Sequence, residues 1–213
     1  MYQKIVDEVK GFSEPNYAKW LSPLLSIDKD SIEILWGVRV PILRKIAQKY
    51  KNIGIKDLKS LLKSNIHELR ELAIFIMLLR VKKEQTLISE IYLEHLNYIN
   101  NWDLIDYSTP HIIAPNVDEK ILRELASSDY LWANRVAMVS TIYFIKQSDF
   151  RLALEFAERY LTHESHLMHK AAGWMLREIG KKDIEVLKKF LDKNRLRMPS
   201  IMRSYAMEKI RKM

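Results

Sequence analysis

The sequence of 213 residues contains no cysteine and only five glycines. Without cysteine there is no disulfide framework, no thiolate metal site and no thiol nucleophile. None of the glycines has the spacing of a dinucleotide-binding GxGxxG fingerprint or of a phosphate-binding GxxxxGK[ST] loop. These absences exclude the motif-defined nucleotide-binding folds, and the lack of cysteine agrees with a reducing cytoplasm.

Long apolar runs are also missing. The longest, residues 72–79, has eight residues, whereas a membrane-spanning helix needs about 20. The N-terminal residues MYQKIVDEVKGF mix charges with apolar side chains, unlike a secretory signal peptide. Hydrophobic residues make up 48% of the chain, enough for a folded core. We therefore expect a soluble, cytoplasmic protein without membrane contact.

The charge is unevenly distributed. The formal net charge is +8, and residues 181–213 hold eleven Lys and Arg against four Asp and Glu, a surplus of seven. A basic end on a folded chain indicates a polyanionic partner, with nucleic acid as the first candidate. The alternative is a solvated pair of basic helices at the C-terminus, and charge alone does not separate the two.

Helical periodicity runs through almost the whole chain, and no stretch alternates long enough to predict a strand. No linker rich in Gly, Pro or Ser interrupts the helices, so we predict a single all-α domain over residues 1–213. The predicted helices cover residues 1–12, 15–26, 42–50, 56–63, 67–82, 85–99, 102–108, 117–127, 131–146, 149–162, 166–179, 183–193 and 199–211.

A basic residue shortly before an alanine recurs in four of these helices. The four are Arg70, Arg135, Lys170 and Arg203, at intervals of 65, 35 and 33 residues. The first interval is about twice the others, and Trp102 occupies the missing place. A period of 32 to 35 residues with two helices is typical of an α-solenoid of HEAT-like or tetratricopeptide repeats. We therefore predict a curved α-solenoid with a concave basic face.

The segment around Asn101 combines features that a plain core helix lacks. Asn101 can cap a new helix, on which Trp102 and Asp106 share one face. An aromatic face beside a carboxylate suits a cationic ligand. Asp106 is also an acid where the sister repeats have apolar residues, and a half-buried carboxylate needs a partner or a task. Because Arg135 lies one repeat away, we expect Trp102, Asp106, Arg135 and Trp174 to converge on one concave patch.

Four segments resemble a known family. They are GVRVPILRK at 37–45, NWDLID at 101–106, WANR at 132–135 and KAAGWMLRE at 170–178. In order and spacing they resemble the AlkD-type DNA alkylation repair glycosylases, which are built from HEAT-like repeats. The resemblance implies excision of positively charged N3- or N7-alkylated purines, such as 3-methyladenine and 7-methylguanine, from duplex DNA in base excision repair. It also implies no metal and no organic cofactor.

The resemblance assigns roles to four residues. The family's catalytic aspartate matches Asp106, its two sugar-facing tryptophans match Trp102 and Trp174, and its backbone-contacting arginine matches Arg135. The family's aromatic contact near the N-terminus has no secure counterpart, and Trp20 is the nearest candidate.

Five further basic residues are predicted to bind DNA on the grounds of charge and position. They are Arg39, Arg44, Lys45, Lys170 and Arg203. The predicted partner is duplex DNA containing alkylated bases, bound by a monomer.

Several simpler explanations stand beside these assignments. On pattern alone Trp174 fits a core position in a helix rich in Ala and Gly, and Asp103 fits a residue that stabilises the helix dipole. His163, His166 and His169 do not converge on one helical face, which favours a solvated or phosphate-facing group over a metal site. Two other functions remain open: a non-catalytic DNA-binding relative, which would lack Asp106, and a protein-binding helical scaffold, which needs no such patch.

Overall fold

The computed structural model describes residues 1–27 and 32–208, and over this part of the chain the protein is all-α, as predicted. Among these residues the isolated bridge between Ile34 and Ile66 is the one β-type pairing. The helices are α1 (Tyr2–Lys10), α2 (Pro15–Leu25), α3 (Val40–Lys49), α4 (Ile55–Leu62), α5 (His67–Arg80), α6 (Gln85–Glu94), α7 (Trp102–Ile112), α8 (Glu119–Ala126), α9 (Leu131–Lys146), α10 (Arg151–Arg159), α11 (His166–Lys182), α12 (Ile184–Lys193) and α13 (Ser200–Ala206).

The helix bounds differ from the predicted ones at several helices. The predicted helix 149–162 is divided into α10 and a 3-10 turn, Tyr160–Thr162, and the predicted helix 166–179 continues as α11 to Lys182. The predicted helix 85–99 is divided, because α6 ends at Glu94 and a separate 3-10 turn covers Leu96–Tyr98. The predicted helix 102–108 continues as α7 to Ile112, through Pro110. The predicted helix 199–211 is observed as α13, and its residues 209–211 lie outside the described part of the chain.

The chain divides into two compact units, Met1–Ile112 and Ile113–Met213. Each unit is described by itself, and the single domain expected over residues 1–213 stays a prediction. In the first unit α5 is central and packs against α1, α3, α4, α6 and α7. Its residues from His67 to Met77 are buried except for Glu71. A helix that is buried all round in this way forms the core of its unit.

The loop before α3 is held by a buried carboxylate of α5. Glu68, which is 1% exposed, accepts backbone N–H bonds from Trp36 (3.0 Å), Gly37 (2.6 Å) and Val38 (3.3 Å). Gly37 has a φ of +77°, and a Cβ there would lie 2.2 Å from the carbonyl oxygen of Glu14. Only glycine takes up this conformation without strain, which accounts for the first residue of the segment GVRVPILRK.

In the second unit α9 and α11 form the centre. α9 packs against α8, α10 and α11, and α11 also packs against α12 and α13. At Gly173 of α11 a Cβ would lie 2.5 Å from the carbonyl oxygen of Met202 and 2.6 Å from the Cβ of Tyr205. Glycine therefore allows α13 to approach α11 closely beside Trp174.

Within residues 1–27 and 32–208, no helix is both long and apolar enough to cross a membrane.

Candidate active site

The start of α7 is fixed by a buried amide. Asn101 is 3% exposed, and its Oδ1 accepts the backbone N–H of Trp102 at 2.8 Å. Its Nδ2 donates to the carbonyl oxygen of Leu25, the last residue of α2, at 2.8 Å. One side chain therefore orients the first turn of α7 and anchors it to the end of α2.

Trp102, the first residue of α7, is half-buried. Its indole Nε1 donates to the carbonyl oxygen of Leu24 at 3.1 Å. Because the indole donates its N–H within the protein, a ligand would meet the face of the ring. A tryptophan face attracts a cation through its quadrupole, so Trp102 suits a positively charged ligand.

Asp106 is half-buried and lies one turn after Trp102 on α7. It is close to Tyr92, a fully buried residue of α6 whose hydroxyl is 2.8 Å from the Ser108 hydroxyl and 3.1 Å from that of Thr109. Burial raises the pKa of Tyr92 to about 12, and the charge of Asp106 acts in the same direction. Tyr92 therefore stays neutral beside the carboxylate.

Pro110 lies four residues after Asp106, inside α7. Proline has no backbone N–H, so the helical hydrogen bond to the carbonyl oxygen of Asp106 is absent. Despite this, α7 continues to Ile112, since Ser108, Thr109 and Ile112 are all buried in the unit. Tertiary packing outweighs the local preference of proline.

Asp103 belongs to a buried ionic network that the sequence did not reveal. Its Oδ2 is 2.7 Å from Nε2 of His67, and its Oδ1 accepts the backbone N–H of Leu104 at 2.8 Å. His67 is 1% exposed, and its Nδ1 is 2.5 Å from Oε1 of Glu33. Burial by itself lowers the pKa of His67, but Asp103 and Glu33 outweigh it and raise the pKa to about 10. His67 is therefore an imidazolium at neutral pH.

Glu71 lies beside this network and lines a cavity of about 180 Å³ together with Arg44, Asp103 and Tyr107. Burial, followed by the charge of Asp103, raises the pKa of Glu71 to about 8. Its carboxyl group is therefore mainly protonated at neutral pH.

In the second unit, Arg135 of α9 is 5% exposed. Its Nη1 donates to the carbonyl oxygen of Leu167, in the first turn of α11, at 2.7 Å. Part of its guanidinium therefore joins α9 to α11 inside this unit.

Trp174 of α11 is half-buried, rather than fully buried as its surroundings in the sequence suggest. Its indole Nε1 donates to Oε1 of Glu178 at 3.1 Å, and Glu178 also pairs with Lys181 at 2.6 Å. Here too the ring face, and not the N–H, is the group that can meet a ligand.

The residues predicted to bind DNA have different surroundings. The exposed Arg39 pairs with Glu14 at 2.9 Å and lies over the ring of Tyr17. Arg44 lies over Phe75 and Tyr107, with its guanidinium carbon 4.9 and 4.6 Å from the ring centres. Of the others, Lys45 is exposed, Lys170 and Arg203 are half-buried, and Arg203 donates to the carbonyl oxygen of Arg195.

The helix starts align α7, α9 and α11 differently from the predicted repeat. Trp102 is the first residue of α7, whereas Arg135 and Lys170 are each the fifth residue of α9 and α11. The fifth residue of α7 is Asp106. Counted from the helix starts, the candidate catalytic aspartate therefore occupies the position at which α9 and α11 have a basic residue.

The four candidate residues are divided between the units. Trp102 and Asp106 belong to the first unit, and Arg135 and Trp174 to the second. Their convergence on one concave patch stays a prediction.

Among the described residues no group of three or more His, Asp or Glu side chains is arranged to hold a metal ion. His163 precedes α11, as predicted, and its Nδ1 accepts the backbone N–H of Ser165 at 2.9 Å. Burial lowers the pKa of both His163 and His169.

A family model and a solved structure that are similar to this chain carry the same kind of description. A family model described as DNA alkylation repair enzyme matches residues 27–210. A solved structure, described as a predicted DNA alkylation repair enzyme from Enterococcus faecalis, is similar with a TM-score of 0.72 and 15% sequence identity. The alignment covers 94% of this chain and 98% of that chain. No curated protein matches the chain significantly.

Proposed function

The chain belongs to the DNA alkylation repair enzyme family, and from this premise we propose that it is a DNA glycosylase for cationic alkylated purines. The proposed substrates are 3-methyladenine and 7-methylguanine in duplex DNA. The protein acts as a monomer and needs neither a metal nor an organic cofactor.

The observation that carries the proposal is the first two turns of α7. They place a half-buried carboxylate, Asp106, one turn from a half-buried indole, Trp102, whose N–H is bonded to Leu24. A carboxylate and an aromatic face are the two groups that stabilise a developing cation without protonating anything.

A cationic alkylated purine needs no general acid to leave. An N3- or N7-alkylated purine is already cationic, so it leaves as a neutral base when the N-glycosidic bond breaks and takes the bonding electrons with it. The positive charge then moves to the sugar as an oxocarbenium ion. Asp106 stabilises this ion and orients the water that attacks C1′, and the proton released by that water passes to the carboxylate or to solvent.

The size of the effect follows from Coulomb's law. A carboxylate about 4 Å from the sugar cation contributes roughly 4 kcal/mol at an effective dielectric constant near 20. That is about a thousandfold in rate. One tryptophan face contributes on the order of 0.5–2 kcal/mol, so Asp106 is the dominant group.

Asp106→Asn is the matched test, because it keeps the shape of the side chain and removes its charge. We expect the single-turnover rate of 7-methylguanine release from alkylated duplex DNA to fall about 100- to 1000-fold. DNA binding should be unchanged or tighter, because a negative charge facing phosphates is lost. Asp7→Asn, at an exposed position on α1, is the control and should excise at the parent rate. An Asp106→Asn protein that is folded and excises at the parent rate would contradict the mechanism.

Arg39, Arg44, Lys45, Lys170 and Arg203 are proposed to contact phosphates. If they do, DNA affinity should fall about 100-fold or more between roughly 50 and 200 mM salt, as for five phosphate contacts. Lys170→Gln should reduce the slope of log affinity against log salt concentration by about one. The loss of affinity should be similar for DNA of different sequences. Affinity that does not change with salt would count against these contacts.

The same assays separate the two alternatives. A non-catalytic DNA-binding relative would bind alkylated duplex DNA with this salt dependence, while the parent protein and Asp106→Asn released no base. A protein-binding helical scaffold would show neither release nor salt-dependent DNA binding.

A further inference from the structure

Helix α7 carries two carboxylates three residues apart, Asp103 and Asp106. Residues at this spacing lie on neighbouring positions of the helix surface. The proposed reaction uses only Asp106. A second anion within a turn would compete for the cationic substrate and would make protonation of Asp106 easier.

The structure holds Asp103 in a different set of contacts. Its Oδ1 accepts the N–H of Leu104 at 2.8 Å, and its Oδ2 lies 2.7 Å from Nε2 of His67. The Asp103 side chain is 22% exposed, whereas that of His67 is 1% exposed. Asp103 is therefore attached to the core of the first unit through His67.

His67 has a carboxylate at each ring nitrogen. Nε2 faces Asp103 and Nδ1 faces Glu33 at 2.5 Å. A carboxylate only accepts hydrogen bonds, so both nitrogens must carry a proton and the ring is an imidazolium. Glu33 also pairs with Arg70, which lies one turn after His67 on α5. His67 thus joins the segment before α3 to the first turn of α7.

Arg70 is a second cation near Asp103, and its ion pair is with Glu33. Glu68 is bonded to three backbone N–H groups, and the carboxyl of Glu71 is mainly neutral because burial raises its pKa. Arg44 lies against the rings of Phe75 and Tyr107. The charged or titratable groups facing this network are Glu33 before α3, Arg44 on α3, and Glu68, Arg70 and Glu71 on α5.

We propose that His67 is a positioning residue for the reaction. Its bond to Asp103 sets the first turn of α7, on which Trp102 lies, and its charge balances Asp103 so that Asp106 is the carboxylate that meets the substrate. This inference rests on the proposed glycosylase function.

The test compares two buried histidines, His67 and His95. His67→Asn removes the balancing charge. His95→Asn is the matched control, because His95 is 2% exposed and its Nδ1 bonds the carbonyl oxygen of Ile91 in α6 at 3.0 Å and lies 3.6 Å from the carboxylate of Glu94. The measured quantity is the pH dependence of the single-turnover rate of 7-methylguanine release.

In His67→Asn we expect the acid limb of this profile to move up by about 1 pH unit. At neutral pH, which lies above the limb, the rate should change little. The double variant His67→Asn/Asp103→Asn, which removes both charges, should return the limb to its parent position, and His95→Asn should leave it unmoved. A fold defect alone would lower the rate at every pH, without moving the limb and without recovery in the double variant. That result would overturn the proposal.

A second variant covers the case in which His67→Asn does not fold. Asp103→Asn leaves an imidazolium unbalanced on the side of α7, so the acid limb should move down instead of up. A limb that stays at the parent position would overturn the proposal.

A parent protein that releases no base would overturn the proposed function rather than the positioning role. Positioning is then decided by the indole ¹H–¹⁵N signal of Trp102, which reports its bond to Leu24. This signal should shift in Asp103→Asn and His67→Asn and stay in place in His95→Asn. An unmoved signal in all three would overturn the positioning role.

Discussion

The starts of α7 and α11 are held in place by different chemistry. α7 begins at an ionic network, in which the imidazolium of His67 binds Asp103. α11 begins at neutral groups: Ser165 caps the N–H of Leu167 at 3.2 Å, and His163 accepts the N–H of Ser165. Accepting that bond requires a neutral imidazole, and burial lowers the pKa of His163 accordingly. The comparison teaches that two candidate site helices of one chain depend on opposite protonation states of histidine.

The largest expected effect is a loss of stability of the first unit at alkaline pH. The pKa of His67 is raised in the folded protein to about 10 from 6.5. Its contribution is therefore complete below about pH 6.5 and is lost as the pH rises towards 10. The total is on the order of 5 kcal/mol.

Hydrogen exchange of the amides of α5 and α7 between pH 6 and 10, corrected for the intrinsic exchange rate, measures this loss. His67→Asn should flatten the dependence, while the amides of α11 should show no comparable alkaline loss. If the amides of α7 were equally protected from exchange at pH 6 and pH 10, the proposed difference in pH dependence between the starts of α7 and α11 would be wrong.

Asn101→Ala should have a smaller effect that does not depend on pH. The variant loses two hydrogen bonds of a buried amide and leaves the carbonyl oxygen of Leu25 without that partner. We expect a loss of about 2–3 kcal/mol in the free energy of unfolding, measured with urea. Asn16→Ala, at an exposed position on α2, is the control and should stay within about 0.5 kcal/mol of the parent. If the two variants were equally stable, Asn101 would not anchor α7.

The two indoles give the smallest effect. Trp102 donates to a backbone carbonyl of α2, and Trp174 donates to Glu178 one turn along its own helix. Trp102→Ala and Trp174→Ala should each lower the excision rate by about tenfold, near 1 kcal/mol plus positioning. Glu178→Gln should affect the excision rate by less than about threefold, since half-exposed ion pairs contribute little. If Glu178→Gln lowered the excision rate more than Trp174→Ala, the contribution to excision would belong to the Glu178 carboxylate and not to the indole.

Local patterns predicted the helices, but not where all of them end. The bounds of α9, 131–146, match the prediction because no glycine or proline interrupts this mainly apolar segment. The prediction ended this helix at residue 108, whereas α7 runs to Ile112 through Pro110, a residue that weakens a helix locally. It continues because Tyr92 supplies hydroxyl contacts to Ser108 and Thr109 from α6. Such contacts arise only in the folded unit.

The residue types of the candidate site were predictable from the sequence, but the contacts that hold these residues in place were not. Trp102 and Asp106 stand one turn apart, so their shared face follows from helical spacing alone. His67 and Asp103 are 36 residues apart and have no periodic relation. The sequence placed Asp103 in the first turn of its helix, as the structure does, but it did not indicate the ion pair with His67.

Gly37 and Gly54 look alike in the sequence, yet they set very different limits on how the chain can vary. At Gly54 a Cβ would meet nothing within 4 Å, so many side chains fit there. At Gly37 any side chain would both strain a backbone at φ +77° and collide with the carbonyl oxygen of Glu14. It would also dislodge the N–H groups that hold Glu68. A single mutation at position 37 therefore strains the backbone, creates a clash with Glu14 and disturbs the hydrogen bonds to Glu68. We expect random substitutions to be tolerated far less at Gly37 than at Gly54.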